Sequence, residues 1–261
     1  MAALRVFFVG GLISYRALFN WLSPVVYIPT MLGKPLFQIV FFTYLGRFSG
    51  VADDSYFIVG NAIQASVVAG VFGMVMVLSN EREFGTLSAI LATPAGRLAI
   101  FVGRAVPLVA NGLFVSAFEF GAAYVFLGFR VPPAALPALA FTVALTVTSC
   151  AMLGLVLGSV ALRVRDVWVI SNLAYGLTLL LCGVNVPLAA MPTWLAAVGR
   201  ALPLTHGVQA ARDLVAGASL TDVSGLLGRE ALTGLAYGIL GYALLRFFET
   251  ESRRRATMDL L

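Results

Sequence analysis

The sequence has little charge and few residues from which a chemical site is built. Of its 261 residues, 11% are charged, 60% are hydrophobic and one is a histidine, and the mean hydropathy is +0.96. A soluble domain of this length would have to hide more apolar side chain than its core can hold. The single histidine and the scattered acids offer no metal cluster. We therefore predict an integral membrane protein with no metal site and no catalytic residues.

Disulfides and a nucleotide-binding loop are also lacking. Cys150 and Cys182 each lie inside an apolar run, so they are predicted to be buried thiols rather than a disulfide framework. No GxxxxGK[ST] phosphate loop occurs, and Gly33 and Lys34 are followed by Pro35 within an apolar run. The sixteen arginines and one lysine are spread between apolar runs, which indicates membrane topology rather than nucleic-acid binding.

Apolar runs of membrane-spanning length dominate the chain. A bilayer core requires about 20 residues of helix, and six runs approach or exceed that length: 25–45, 56–79, 106–127, 134–162, 167–190 and 231–248. The stretch 191–225 is too polar to span and is interrupted by Pro192, Pro203 and Gly217. The sequence therefore predicts an all-α integral membrane protein with six transmembrane helices and a helical segment at one membrane face.

The first 22 residues have the pattern of an amphipathic helix. Apolar residues repeat there at helical spacing, and Arg5 and Arg16 return to nearly the same azimuth. Residues 1–22 are therefore predicted to lie in the membrane interface. A cleaved signal peptide is the alternative, but Arg16 interrupts the apolar core and no small-residue cleavage site leads into a polar domain.

Arginine asymmetry predicts the orientation, because cytoplasmic loops retain positive charge. With the N-terminus inside, eleven arginines fall on the cytoplasmic side and five outside, the five being Arg47, Arg130, Arg200, Arg212 and Arg229. The sequence thus predicts that both termini are cytoplasmic, that residues 81–97 are cytoplasmic, and that the segment 191–225 faces outside.

The segment 81–97 has the pattern of a short interfacial helix. Phe84, Leu87 and Leu91 fall at i, i+3 and i+7 and so share one helical face. Glu81 and Glu83 are predicted to begin this helix, where the macrodipole favours negative charge. Pattern alone leaves open a loop helix whose charges are merely solvated.

Two runs, each with the expected spans on either side, carry a resemblance to a known family. They are EREFGTLSAILATPAGR, between the second and third spans, and PLAAMPTWLAAVGRALPLTHGVQAARDLVAG, before the last span. Together with the span pattern they resemble the membrane subunit (permease) of type-two ABC exporters, closest to the daunorubicin/doxorubicin exporter permeases. Relatives of that group export drugs, lipids and polysaccharides.

The resemblance implies a division of labour between subunits. Residues 81–97 would be the coupling helix, which docks on a separate ABC ATPase subunit through Glu81, Arg82, Glu83, Phe84, Gly85, Thr86 and Leu87. This chain would hold no cofactor and would not itself be an enzyme, since ATP and Mg would be bound by a pair of ATPase subunits. A second permease copy would complete a homodimer or heterodimer in the cell membrane.

The expected function is multidrug-type export of an amphipathic or hydrophobic compound. Three alternatives stay open. Within transport, the chain could export a lipid-linked saccharide. It could instead be a secondary transporter that uses Lys34 and Glu119 for ion coupling, or a membrane scaffold that transports nothing.

Lys34 and Glu119 are charges inside predicted spans and need a structural explanation. Each costs about 3 kcal/mol in a hydrocarbon environment, so each should face protein or water, or pair with the other. One hypothesis is that Lys34 and Glu119 form an ion pair with each other. Alternatively Lys34 extends to the membrane surface, or the first span is misplaced.

Further polar residues of the spans and the outer segment are candidate site residues. The substrate-pathway candidates are Asn61, Gln64, Asn172, Tyr175, Thr178 and Asn185, which could equally form interhelical hydrogen bonds. By resemblance, Pro203, Thr205 and His206 belong to an outer re-entrant helical lid. His206 could relay protons, but Thr205 and His206 beside a helix start are typical capping residues.

Overall fold

The structure, a computed structural model, describes residues 28–50, 52–83, 97–161 and 167–254. All regular elements within these ranges are helical. The α-helices are α1 (Lys34–Ser49), α2 (Asp54–Val67), α3 (Gly73–Glu83), α4 (Arg97–Leu127), α5 (Leu136–Ala161), α6 (Val167–Leu181), α7 (Thr193–Ala201), α8 (Thr205–Val215) and α9 (Ser224–Arg254). A π-helical segment, Ile28–Gly33, leads into α1, and another, Val68–Phe72, joins α2 to α3.

Four helices among the described residues are long and apolar enough to cross a membrane. They are Asp54–Asn80, Ala105–Leu127, Pro133–Ala161 and Ser224–Phe248, close to the predicted spans 56–79, 106–127, 134–162 and 231–248. Within the described residues the structure confirms the prediction of a helical protein, and these four helices have the length and composition of membrane spans.

The first and fifth predicted spans differ from the observed helices. Helical structure of the first is described from Ile28 and continues to Ser49, beyond the predicted end at residue 45. The fifth ends at Leu181, nine residues before the predicted end at 190. Gly183 there adopts a left-handed conformation with φ of 72°, which glycine tolerates without steric cost. The chain then forms a turn and the short 3₁₀ helix Leu188–Ala190.

Helix α5 is the central helix of the bundle. Its buried residues Val143, Val147 and Cys150 belong to one apolar core together with residues of α2, α6 and α8. Across its contact with α9, the Ser149 hydroxyl donates to the Glu230 carbonyl (3.2 Å) and the Ser159 hydroxyl to the Gly241 carbonyl (3.3 Å). Interhelical hydrogen bonds of this kind hold membrane helices together.

One end of the bundle contains an open cleft of about 1010 Å³. The turn between α1 and α2, the turn between α4 and α5, and the C-terminal half of α8 all line it, through residues that include Arg47, Arg130 and Arg212. These three arginines belong to the group predicted to lie outside. They therefore share one end of the bundle, which we call the cleft end.

The helix predicted to begin at Glu81 differs in the structure. Glu81, Arg82 and Glu83 form the last turn of α3, so they continue a membrane helix instead of starting a new one. The helix-dipole argument, which placed the two acids in the first turn of a helix, therefore does not hold. The predicted interfacial helix 1–22 and the remaining contact residues of the coupling segment, Phe84, Gly85, Thr86 and Leu87, lie outside the described residues.

Candidate functional site

A chain of hydrogen-bonded polar side chains crosses the interior between α1, α2 and α6. The Tyr175 hydroxyl donates to Gln38 Oε1 (2.5 Å), and Gln38 Nε2 donates to Asn61 Oδ1 (2.8 Å). Asn61 Nδ2 in turn donates to Asn185 Oδ1 (2.8 Å), in the turn that follows α6. We call these four residues, with Gln64 and Thr178, the polar network.

Gln64 and Thr178 extend this network one helical turn further along α2 and α6. Gln64 Nε2 donates to Thr178 Oγ1 (3.2 Å), and both side chains are buried. Among the residues that the structure describes, Gln64 Oε1 and Asn185 Nδ2 have no hydrogen-bond partner although they are buried. A buried polar atom without a partner is costly, so the network has free capacity for a polar ligand.

The structure brings together five of the six predicted pathway residues: Asn61, Gln64, Tyr175, Thr178 and Asn185. Here they form interhelical hydrogen bonds, which was the alternative interpretation of these residues. Asn172 lies apart on an exposed face of α6, where its amide donates to the Trp168 carbonyl (2.8 Å). Sequence reasoning missed Gln38, although a glutamine one turn after Lys34 inside an apolar run was a usable signal.

Lys34 and Glu119 do not pair. The Lys34 ammonium lies over the Tyr175 ring, 4.4 Å from its centroid. Glu119 is fully buried, and neither of its carboxylate oxygens has a hydrogen-bond partner in the described part of the chain. Their depths explain this result. At 1.5 Å per residue, Lys34 lies about 22 Å along its helix from the cleft end, and Glu119 about 12 Å.

We therefore expect the substitutions Lys34→Met and Glu119→Gln to act independently on stability. Their changes in the free energy of unfolding should add to within about 0.5 kcal/mol in the double variant, as they do for residues without direct contact. Thermal unfolding of the four proteins in detergent measures this. If the double variant recovers stability lost by either single variant, the two side chains interact after all.

The π-helical segment Val68–Phe72 connects this network to α3. The Phe72 ring lies 6.4 Å from the Tyr175 ring and 6.3 Å from the Trp168 ring, measured between centroids. Single π-helical turns inside α-helices occur frequently at functional sites. Because Glu81–Glu83 belong to α3, this segment is the direct connection between the predicted coupling residues and the polar network.

A buried acid that the sequence analysis did not single out holds the start of α8. Glu230, on α9, accepts hydrogen bonds from the backbone amides of Leu204 (2.8 Å) and Gly207 (3.2 Å) and is fully buried. The carboxylate thus satisfies the free amides of a helix N-terminus, where negative charge is favoured. Leu204 itself has φ of 92°, a strained conformation for a leucine.

The residues of the predicted lid lie around this contact. The Thr205 hydroxyl donates to the Gly199 carbonyl at the end of α7, so it joins α7 to α8 rather than capping the start of α8. Pro203 is buried, and its carbonyl accepts a hydrogen bond from Cys182 Sγ (3.6 Å). Burial, and then the charge of Arg229, lower the pKa of the half-buried His206 below its usual value, so its imidazole is neutral near pH 7.

Arg212, on α8, joins three parts of the bundle at the cleft end. Its guanidinium donates to the carbonyls of Tyr56 (2.9 Å), Gly183 (2.9 Å) and Val184 (2.9 Å), and it stacks 3.5 Å from the centroid of the Tyr56 ring. The Tyr56 hydroxyl also donates to the Gly183 carbonyl (2.7 Å). Arg212 therefore fixes the start of α2 and the turn after α6 to α8.

The chain is similar to a known protein family. A family model described as ABC-2 type transporter matches residues 10–215. The matched range contains the polar network, the segment 81–97 and Arg212. No curated protein matches the chain.

Proposed function

The chain belongs to the ABC-2 type transporter family, and on that premise we propose that it forms the membrane pathway through which an amphipathic or hydrophobic compound is exported from the cell. Family membership makes it the membrane subunit of an ABC transporter, a multi-pass transport protein. The direction of transport, the six-span count, the cytoplasmic termini and the likeness to daunorubicin-type exporters are the finer parts of the proposal. The family match, which covers most of the chain, is the observation that carries it.

We propose that the segment 81–97 couples this subunit to a pair of ABC ATPases, which hold ATP and Mg. The path of α3 supports this role. It carries Glu81–Glu83 at one end and, through the π-helical segment, leads to the polar network at the other. A displacement of the coupling segment by the ATPase would therefore be transmitted to α2, because packed helices move as discrete units.

A second copy of a permease subunit is proposed to cover the face formed by α1 and α6. Lys34 and Asn172 are exposed on these helices beside apolar side chains such as Phe37 (77% exposed) and Leu173 (62% exposed). A charge or an amide facing hydrocarbon is costly. This face is therefore better suited to a partner subunit than to lipid.

Of the alternatives, a secondary transporter that uses Lys34 and Glu119 for ion coupling differs from the proposal in its energy source, so flux measured with and without ATP separates the two. Export of a lipid-linked saccharide differs from the proposal only in the compound moved, so a substrate assay separates the two.

Affinity purification of the chain from its native membranes tests the proposal. We expect an ATP-hydrolysing subunit to co-purify, with an ATPase activity that depends on this chain. Flux driven by an ion gradient through the chain alone would support a secondary transporter. A complex whose ATPase no amphipathic compound stimulates would support a scaffold.

Cysteine labelling in a variant that lacks Cys150 and Cys182 tests the proposed membrane orientation. A cysteine at the exposed residue Ala216 should react with an impermeant thiol reagent added to intact cells, whereas one at Ser88 should react only after the cells are opened. Ala216 is preferred to Gly217, whose φ of 102° disfavours any side chain. The opposite labelling pattern would refute the proposed orientation.

A further inference from the structure

The side chain of Arg212 lies between the cleft and the polar network. Tyr56, Val59 and Arg212 line the cleft, while Asn61, two residues after Val59, belongs to the polar network and is bonded to Asn185 (2.8 Å). Val184, whose carbonyl accepts from Arg212, directly precedes Asn185. The guanidinium therefore closes the gap between α2 and the turn after α6 at the point where the cleft meets the network.

A side chain that acts as a gate must be able to exchange one set of hydrogen-bond acceptors for another, and Arg212 has this property. Within the described residues its acceptors are neutral backbone carbonyls rather than a carboxylate. The same cleft is lined by acids, among them Asp53 and Asp213, which offer a second set of acceptors for a guanidinium. The guanidinium of Arg212 thus has two sets of acceptors, the carbonyls and the acids of the cleft. Its release from the carbonyls would therefore leave neither a carboxylate nor the guanidinium without a partner.

We propose that Arg212 gates the exit of the transport pathway and that the cleft is its outer vestibule. The proposal rests on the proposed function. In the structure the gate is closed. It opens when the guanidinium leaves the carbonyls of Gly183 and Val184, the turn after α6 separates from the start of α2, and the polar network becomes continuous with the cleft.

Gly60 gives an independent means of disturbing the gate. A Cβ atom added there would lie 2.6 Å from Arg212 Nη2 and 2.7 Å from the Val184 carbonyl oxygen. Alanine at this position would thus push the guanidinium and the turn apart and leave the charge in place. Gly121, on α4, has open space around its Cα and serves as the matched glycine control.

The test measures access to the network from outside. A cysteine replaces the buried network residue Thr178 in a chain that lacks Cys150 and Cys182, and intact cells are treated with a membrane-impermeant maleimide. With Arg212 present we expect slow labelling, and with Arg212→Gln labelling at least tenfold faster. Arg130→Gln removes another arginine from the same cleft and should leave the rate unchanged.

The glycine pair keeps the proposal testable if Arg212→Gln does not fold. Gly60→Ala should speed labelling several-fold, whereas Gly121→Ala should not. Unchanged labelling in Gly60→Ala, or equal acceleration by Arg130→Gln, would overturn the gate. Because the assay needs neither ATP nor substrate, such a failure leaves the proposed export function standing, and that function is tested by ATP-driven flux.

Discussion

Glu230→Ala is expected to lower the free energy of unfolding by about 3 kcal/mol, the largest stability effect that we predict for a single side chain. The substitution leaves the buried amides of Leu204 and Gly207 without an acceptor. Each buried donor left unpaired costs about 1–3 kcal/mol, and loss of a helix N-cap typically costs about 1 kcal/mol. Thermal unfolding in detergent measures the change.

Two further variants identify the cause of this loss. Glu230→Gln retains one carbonyl oxygen, so it should lose less stability than the alanine variant. Arg229→Ala, at the exposed neighbouring position, should stay within about 0.5 kcal/mol of the unmodified protein. If Glu230→Ala proves as stable as Arg229→Ala, the carboxylate does not hold α8 as the structure indicates.

Replacing both Glu81 and Glu83 by alanine is expected to reduce ATP-driven export roughly tenfold to a hundredfold. Charge pairs across protein interfaces contribute about 1.5–7 kcal/mol, and a loss of 1.4 kcal/mol is a factor of about ten. The spans should still insert, because neither acid lies in an apolar run. Transport and ATPase binding are measured in membranes that contain both subunits.

The matched control for this variant is Asp222→Ala, which removes an exposed acid from the segment 191–225. It should leave coupling unchanged. Wild-type levels of both export and partner binding in the double glutamate variant would show that these acids are only solvated surface.

The membrane helices could be predicted from the sequence because hydropathy over about 20 residues is a local property. The early end of α6 could not be predicted from hydropathy. Val184 and Val186 keep the hydropathy of the run high through residue 190, while Gly183 turns the backbone out of the helix. Gly183, which contributes little to the hydropathy of the run, therefore determines where α6 ends.

The roles of Arg212 and Glu230 depend on contacts that are distant in sequence. Arg212 was assigned only a topological charge, because its partner Tyr56 is 156 residues away. Glu230 immediately precedes the predicted last span and looks like a loop acid until α8 folds back on α9. Hydropathy and helical periodicity contain no information about either contact.

The intramembrane charges show a different limit of sequence reasoning. Lys34 and Glu119 were correctly recognised as costly, but pairing them required equal depth, and their helices place them about 10 Å apart along the bundle. Lys34 instead contacts the Tyr175 ring. Its partner is thus an aromatic residue, which carries no charge that a sequence pattern would match to a lysine.

The central claim, that this chain moves its substrate with the energy of ATP hydrolysed on another subunit, is tested most directly by flux in proteoliposomes. The chain is reconstituted with the ATPase that co-purifies with it, and movement of a fluorescent anthracycline is recorded. We predict movement toward the cleft end that requires ATP and Mg and is lost when the ATPase is left out. Movement that continues without ATP and follows an imposed ion gradient would contradict the claim.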